Sequence, residues 1–431
     1  MARRPQRKAR TQAPVEVTVG EIGARGDGLA DHGGRRVYVP LTVPGDRVRI
    51  LPGEPRGDGI AARLLDVLAP GPDRAAPPCP HFGICGGCAL QHLTDDAYAG
   101  WKRTQVVTAL GRAGLTGIDV APTVRTPPAG RRRATFAATR RGGRATLGFN
   151  ERQSHRIAEI SGCLVVEPAI RALLGPLEDL LTAVLPDGAA LDVTVAVLEG
   201  GLDVLLTGGL EPGLDARERL AAFAESRDIA RLSWRRSPSA PPEPVAARRP
   251  VHVRFGGTAV PVQPGAFLQA SGEGEAALVD SVLAGVGNAR KVADLFAGLG
   301  TFTFPMARTA AVHAVEGDAS AMAALSSAAR TLPNVTTARR DLFEDPLTAS
   351  ELSRFDAVVF DPPRAGAREQ CTRIAESGVP VVVAVSCNPA TFARDARILT
   401  DGGYRLESVT PVDQFVWSAH IELVARFTAA G

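Results

Sequence analysis

From residue 266 onward the chain alternates short apolar runs with alanine-rich helical stretches. The run 291–296 precedes a helix over 302–309, 311–316 one over 319–331, 357–360 one over 367–377, and 379–385 one over 390–400. Strict strand–helix alternation leaves few folds open. Strands joined by crossover helices pair in parallel, and the helices cover both faces of a doubly wound α/β sheet. Ligands of such sheets sit beyond the carboxyl ends of the strands. The residues that close each apolar run are therefore the ones to read for chemistry.

Asp294-Leu-Phe-Ala-Gly298-Leu-Gly300-Thr301 closes the first run. Its glycines let a ligand approach the backbone, although an ordinary strand–turn–helix connection could carry them too. Glu316 closes the second run, where an acid can accept hydrogen bonds from both ribose hydroxyls, and Asp341 follows the third strand. The turn lacks the third glycine of G-x-G-x-x-G, which disfavours a nicotinamide cofactor and suits a methyl-donor nucleoside, S-adenosylmethionine. Asp361-Pro-Pro-Arg364 ends the fourth strand and Ser386-Cys387-Asn388-Pro389 the fifth. An aromatic residue after Asp-Pro-Pro would suggest methylation of an exocyclic amine, but Arg364 stands there. A cysteine at this edge suggests covalent attack that activates a carbon.

Upstream the texture differs. Residues 15–69 read as short strands separated by glycine turns, which suits a small barrel of the OB type. Cys79-x5-Cys85-x2-Cys88 lies in a Gly/Pro-rich loop, and three thiols so close usually bind a metal. A fourth ligand is needed, and Cys163 is the nearest remaining cysteine in sequence. Spacing alone fits zinc or an iron–sulfur cluster. Residues 94–114 read as a helix with Thr94 as N-cap, 130–165 as basic strands around a turn at 141–143, and 237–244 as a loop.

The net charge of +3 hides an asymmetry. Residues 1–150 hold 23 basic and 12 acidic residues, a balance of +11, whereas 151–431 hold 26 against 34, a balance of −8. The basic part suits a polyanion, nucleic acid before membrane, or else a solvated basic face. The segment 1–12 reads as a basic disordered tail. No apolar run reaches membrane-spanning length and no apolar core follows the basic N-terminus, so no signal peptide or membrane span is expected and the cytoplasm is the default.

These motifs resemble the RNA uracil-5-methyltransferases, in particular the branch with an N-terminal TRAM barrel and an iron–sulfur cluster, the 23S rRNA (uracil-5)-methyltransferase type. The likeness is carried by the cysteine loop with Cys163, by DLFAGLGTFT, DPPRAG and SCNPATFARD, and by His420-Ile-Glu422. The resemblance implies a multidomain chain: an OB-like TRAM barrel over 13–69, an α+β central domain with the iron–sulfur loop over 70–265, and a Rossmann-like α/β methyltransferase domain over 266–431. The helix 94–115 would pack on the catalytic domain. The resemblance further implies that Cys387 adds to C6 of uracil and that Glu422 removes the C5 proton. It places Gln269, Phe296, Thr301, Glu316, Asp341 and Asp361 around S-adenosylmethionine, and assigns Cys79, Cys85, Cys88 and Cys163 to a [4Fe–4S] cluster. The partner would be RNA, 23S rRNA or the T-loop of tRNA, acting on a monomeric enzyme. A non-catalytic RNA-binding assembly factor is the contrasting reading, and a redox or metal-sensor module built on the four cysteines is another.

Val416 and Ser418 stand where many members carry Pro and Thr, and Ala297 where Cys is frequent. Arg131, Arg132, Arg133, Arg140, Arg141 and Arg144 are candidate phosphate contacts, against the alternative of a solvated face. Phe136, Phe149, Phe267 and Trp417 could stack on bases, with core packing the favoured role for the first two.

Overall fold

The computed structural model describes residues 13–209 and 211–430; the basic segment 1–12 lies outside the described residues. Contacts divide the chain into two compact units. The first runs up to Gly83 and adds Gly87–Trp101 and Trp417–Ala419; the second comprises Ile84–Gly86, Lys102–Val416 and His420–Gly431. No helix of the described residues is long and apolar enough to cross a membrane.

In the first unit, β1 (Val15–Ile22), β2 (Gly28–His32), β3 (Arg35–Val39), β4 (Arg47–Arg56) and β5 (Gly59–Ala69) close a barrel in the order β1-β2-β3-β5-β4. Alternation places Val17, Val19, Val37, Val39, Val48 and Ile50 inside it. Buried Asp46 accepts from the Val43 and Gly71 amides, at 2.7 and 2.8 Å, and pairs with Arg74, fixing the chain where it leaves the barrel.

The helix α1 (Asp95–Arg112) starts in the first unit and ends in the second, where β6 (Val124–Arg125) follows. A seven-stranded sheet then forms from β7 (Arg133–Arg141), β8 (Arg144–Asn150), β9 (Ile157–Glu159), β10 (Ala190–Leu198), β11 (Gly201–Gly208), β12 (Arg231–Arg235) and β13 (Glu243–Ala247), ordered β13-β12-β11-β10-β7-β8-β9. Gly142 and Gly143 both take positive φ, 61° and 84°, as a two-residue hairpin turn demands. Two helices, α2 (Pro168–Val184) and α3 (Leu214–Ser226), pack their apolar sides on Phe136, Val193, Val195 and Val204 of this sheet. The loop expected over 237–244 is shorter than that, because Glu243 and Pro244 already pair with β12.

A small hairpin, β14 (His252–Phe255) and β15 (Thr258–Pro261), leads into α4 (Gly272–Val286). The alternating region follows as β16 (Lys291–Leu295), α5 (Thr303–Met306), β17 (Ala311–Glu316), α6 (Ala319–Ala329), β18 (Val335–Arg339), α7 (Ala349–Leu352), β19 (Ala357–Phe360), α8 (Arg368–Ser377), β20 (Val381–Ser386), α9 (Pro389–Asp401), β21 (Tyr404–Asp413) and β22 (Glu422–Ala429). The eight strands lie in the order β18-β17-β16-β19-β20-β22-β21-β6. Five of them, β16 to β20, pair in parallel; β19 and β20 at the middle of the sheet are almost wholly buried and apolar, whereas β18 at the edge is mostly polar. The strand order reverses between β16 and β19, which opens a crevice at their carboxyl ends. The departure from strict alternation is β22, which runs antiparallel between β20 and β21 and so begins at the edge where β20 ends. The helix expected over 302–309 shortens to a single turn containing Pro305.

Candidate active site

Every group of the site stands at this one edge of the sheet. Ser386 pairs with Leu423 at the end of the β20–β22 ladder, so Cys387 and Glu422 each lie one residue beyond that rung at the same edge, and the Glu422 carboxylate is close enough to act on the thiol. The nucleophile candidate is half-buried and the carboxylate nearly fully so. Burial, with Glu422 and Asp361 as neighbours, pushes the Cys387 thiol up to about 11, while Arg364 works the other way. Glu422 is pushed well above the ordinary carboxyl range by burial and by Asp361; Gln414, Arg364 and Lys102 oppose that shift.

The glycine turn after β16 forms the neighbouring part of the crevice. Gly298 and Gly300 take φ of 56° and 94°, and Phe296 adopts a left-handed φ of 59°. A side chain on Gly298 would meet nothing within 4 Å, so there is room against this backbone. Both Glu316 oxygens are already engaged, accepting from the Gly298 amide at 2.8 Å and the Asp318 amide at 2.7 Å. Their remaining lone pairs suit a ribose diol. Asp341 accepts from the Phe343 amide at 3.0 Å, and the exposed Phe343 ring lies 5.5 Å from that of Phe296. Thr301 is half-buried in the same turn.

Asp294 and Asp361 are both pushed up to about 7, chiefly by burial. Thr303 donates to Asp294 Oδ2, but Asp294 Oδ1 is buried with no hydrogen-bond partner among the described residues. An orphaned buried acceptor beside a second acid calls for a donor or a cation. A methyl-donor nucleoside with ammonium and sulfonium groups meets that need, so the residues fit S-adenosylmethionine. Gln269 joins Asp361 through a long 3.4 Å contact and accepts from Gln414 Nε2 at 2.7 Å. Gln414 in turn accepts from the Ala270 amide at 2.8 Å.

Five side chains here were not read from sequence as part of the site: Lys102, Phe343, Gln414, His420 and Asp294. Asp294 and His420 lay inside quoted motifs. Gln414 and Phe343 carried no signal, since neither type is diagnostic. Lys102 did carry one. Tyr98, Lys102, Val106 and Leu110 recur at every fourth residue, and all four are buried, so a lysine occupies a core stripe.

The arginine run is largely committed within the protein. Arg132 pairs with Glu275 and donates to the Gln269 carbonyl, Arg133 donates to the Gly265 carbonyl, Arg140 donates to the Leu185 carbonyl, and Arg144 holds Glu178 at 2.6 Å. Arg131 lies over the Phe415 ring. Phe136 is fully buried against Phe149, whereas Phe267 is 71% exposed.

Cys79, Cys85, Cys88 and Cys163 are each part-buried, with Cys85 and Cys163 packing against the apolar layer under the seven-stranded sheet. Among the described residues no three His, Cys, Asp or Glu side chains are gathered as a metal site. The described geometry thus lends the cluster no support.

The profile of a family described as tRNA (Uracil-5-)-methyltransferase matches residues 262–427. An uncharacterized RNA methyltransferase of Brucella melitensis is 45% identical over 96% of this chain and 97% of its own length. The 23S rRNA (uracil(1939)-C(5))-methyltransferase of Edwardsiella ictaluri is 33% identical over 99% of this chain and 98% of its own. The tRNA (uracil-54, C5)-methyltransferase of Pyrococcus abyssi, solved with S-adenosyl-L-homocysteine, superposes with a TM-score of 0.74 at 22% identity, covering 96% of this chain and all of that one. At that identity the superposition shows a shared fold.

Proposed function

The chain belongs to the RNA uracil-5-methyltransferase family, and from that premise we propose that it methylates C5 of a uridine in 23S rRNA, with Cys387 as nucleophile and Glu422 as base. The observation that supports the residue roles is the end of the β20–β22 ladder at Ser386 and Leu423, which leaves Cys387 and Glu422 as the next residue of each strand at the ligand edge.

The Cys387 thiol gives its proton to solvent, its sulfur bonds to uracil C6, and the C5–C6 electron pair moves into an enolate. S-adenosylmethionine would supply an electrophilic methyl group, which C5 takes as the sulfonium leaves as the thioether of S-adenosylhomocysteine. Glu422 then accepts the C5 proton. The electrons of that C–H bond re-form C5=C6, and the S–C6 bond breaks with Cys387 leaving as thiolate. Gln269, Phe296, Thr301, Glu316, Asp341 and Asp361 line the methyl donor in this reading. Once ionised, a raised Glu422 is a strong proton acceptor, and Gln414, Arg364 and Lys102 are the groups that favour its ionised form. The target uridine must leave its stack to reach a half-buried thiol.

The rRNA substrate follows the full-length relative from Edwardsiella ictaluri. A tRNA uridine is the second reading, favoured by the family description and by the tRNA enzyme whose fold is shared. Mapping 5-methyluridine by mass spectrometry in rRNA and tRNA from a deletion strain decides between them. Loss from 23S rRNA supports the proposal; loss from tRNA alone replaces it with the second reading. Full restoration of the mark by a Cys387→Ala protein would refute the nucleophile.

For the four cysteines the reading rests on spacing and on soft thiolate chemistry, which suits iron–sulfur ligation. Anaerobically purified protein should be brown and contain iron and sulfide in equal amounts. A colourless protein with stoichiometric zinc overturns it.

A further inference from the structure

Lys102 is an anomaly of the fold. It lies in the buried stripe of α1 between Tyr98 and Val106, with its side chain fully excluded from solvent. A leucine or methionine would continue that stripe without the penalty of taking an ammonium out of water. The ammonium reaches across to a loop that is distant in sequence. It donates to Asp413 Oδ1 at 2.9 Å and to the backbone carbonyl of His420.

Those two partners bracket one segment. Asp413 ends β21, Glu422 starts β22, and residues 414–421 join them. Lys102 therefore ties the beginning of the connection to its end. The Asp413 carbonyl is held from a third side by Thr126 Oγ1 at 2.7 Å. The residue after Asp413 is Gln414, whose side-chain amide hydrogen-bonds Glu422 and reaches Gln269. Two residues after His420 comes Glu422 itself. His420 also receives a hydrogen bond at Nδ1 from Arg364 at 2.8 Å, which joins this end of the connection to the Asp-Pro-Pro-Arg turn.

We propose that Lys102 is the positioning residue of the proton-abstraction step: by clamping both ends of the Asp413–Glu422 connection it fixes the Glu422 carboxylate over the adduct and supplies the nearby positive charge that keeps it a usable base. The inference rests on the reading of Glu422 as the base. The titratable and charged groups around Glu422 come from each element that meets there: Asp361 and Arg364 beyond β19, Cys387 beyond β20, and Lys102 on α1. Asp361 disfavours the carboxylate, whereas Arg364 and Lys102 favour it. Burial disfavours the Lys102 charge, whereas Asp413 and Glu422 sustain it. Removing that charge takes away one of the groups that favour the Glu422 carboxylate, so a higher pH is needed to have the base form.

The test separates formation of the covalent adduct from its release. Unmodified RNA from a deletion strain is incubated with S-adenosylmethionine and the full-length enzyme. Denaturant-resistant protein–RNA adduct is followed by gel, and free 5-methyluridine by mass spectrometry, from pH 6 to 9. Lys102→Met alone strands the Asp413 charge, so the main variant is Lys102→Met with Asp413→Asn, and Lys102→Arg keeps the charge. For the double variant the expected result is normal affinity for S-adenosylhomocysteine, adduct accumulation, and release slowed about 10- to 100-fold. The acid limb of the release profile should shift to higher pH, and Lys102→Arg should recover part of both effects. Should the double variant misfold, Lys102→Gln with Asp413→Asn, a neutral pair that can still hydrogen-bond, decides: wild-type release and an unchanged acid limb would leave no role for the charge. Glu422→Gln is the control. If it traps adduct while the double variant releases product at the wild-type rate and pH dependence, the Lys102 proposal falls and the base stands. If Glu422→Gln itself releases product normally, the base reading falls first and takes the proposal with it.

Discussion

The ionisation of Cys387 offers a direct test of the site before any RNA is added. Its thiol lies at about 11, raised by burial, Glu422 and Asp361 in that order. At pH 8 its thiolate fraction is then about one in a thousand, against roughly one in four for an unperturbed thiol near 8.5. Higher basicity returns some reactivity, about tenfold over ~2.5 units at a Brønsted slope near 0.45. The net expectation is alkylation roughly twentyfold slower than a peptide thiol at pH 8, before any steric effect. The steric part does not vary with pH, so the shape of the profile is diagnostic. Iodoacetamide is added in short pulses from pH 7 to 9.5, and the peptide carrying Cys387 is quantified by mass spectrometry. The rate should climb about tenfold per pH unit throughout, with no levelling. Glu422→Gln removes one of the groups that raise the thiol, so its profile should bend at lower pH. A wild-type rate that levels off by pH 9, or a profile indifferent to Glu422→Gln, would refute the electrostatic account of this thiol.

Asp294 is raised to about 7, so its protonated form is favoured by folding; its contribution is full below the unfolded value near 4 and is lost as pH rises through 7. The urea midpoint of Asp294→Asn should therefore fall less than wild type between pH 4 and 8 without cofactor, and parallel curves would contradict this. Phe343→Ala should weaken S-adenosylhomocysteine binding about tenfold by calorimetry, since a stacked aromatic contributes about 1 kcal/mol beyond its area; unchanged affinity would remove Phe343 from the cofactor crevice. Gly256 has φ of 55°, and a Cβ there would stand 2.7 Å from the Pro305 nitrogen. Gly256→Ala should destabilise by about 2 kcal/mol or more in urea, from overpacking and strain together; a loss under about 0.5 kcal/mol would mean that the hairpin yields.

The strand–helix alternation after residue 266 was legible because parallel strands buried on both faces are apolar throughout, and their terminal residues stand out against that background. The run 311–316 matched β17 at both ends, and the run 379–385 stopped one residue short of the end of β20. The antiparallel return of β22 was not legible, since Leu423, Val424 and Ala425 look like any buried strand and direction leaves no mark in composition. The motif supplied Glu422, but its place at the same edge as Cys387 is a matter of pairing. The internal partners of the arginine run were not legible for a related reason. Charge is visible in sequence, whereas Glu275, the partner of Arg132, is 143 residues away. Lys102 shows the reverse case, a single misplaced charge in an apolar stripe whose meaning depends on a loop more than 300 residues downstream.

The β20–β22 ladder also sets a rule for how this enzyme can vary. Side chains on a strand change face with every residue, so a slip of one position would turn Glu422 to the other face and bring Ile421 or Leu423 into its place. On the proposed reading, length changes inside either strand are lesions of chemistry as much as of stability. Connections away from this edge can change length at less cost, and the spacing of the two candidate reacting side chains is inherited from the hydrogen-bond lattice of the sheet.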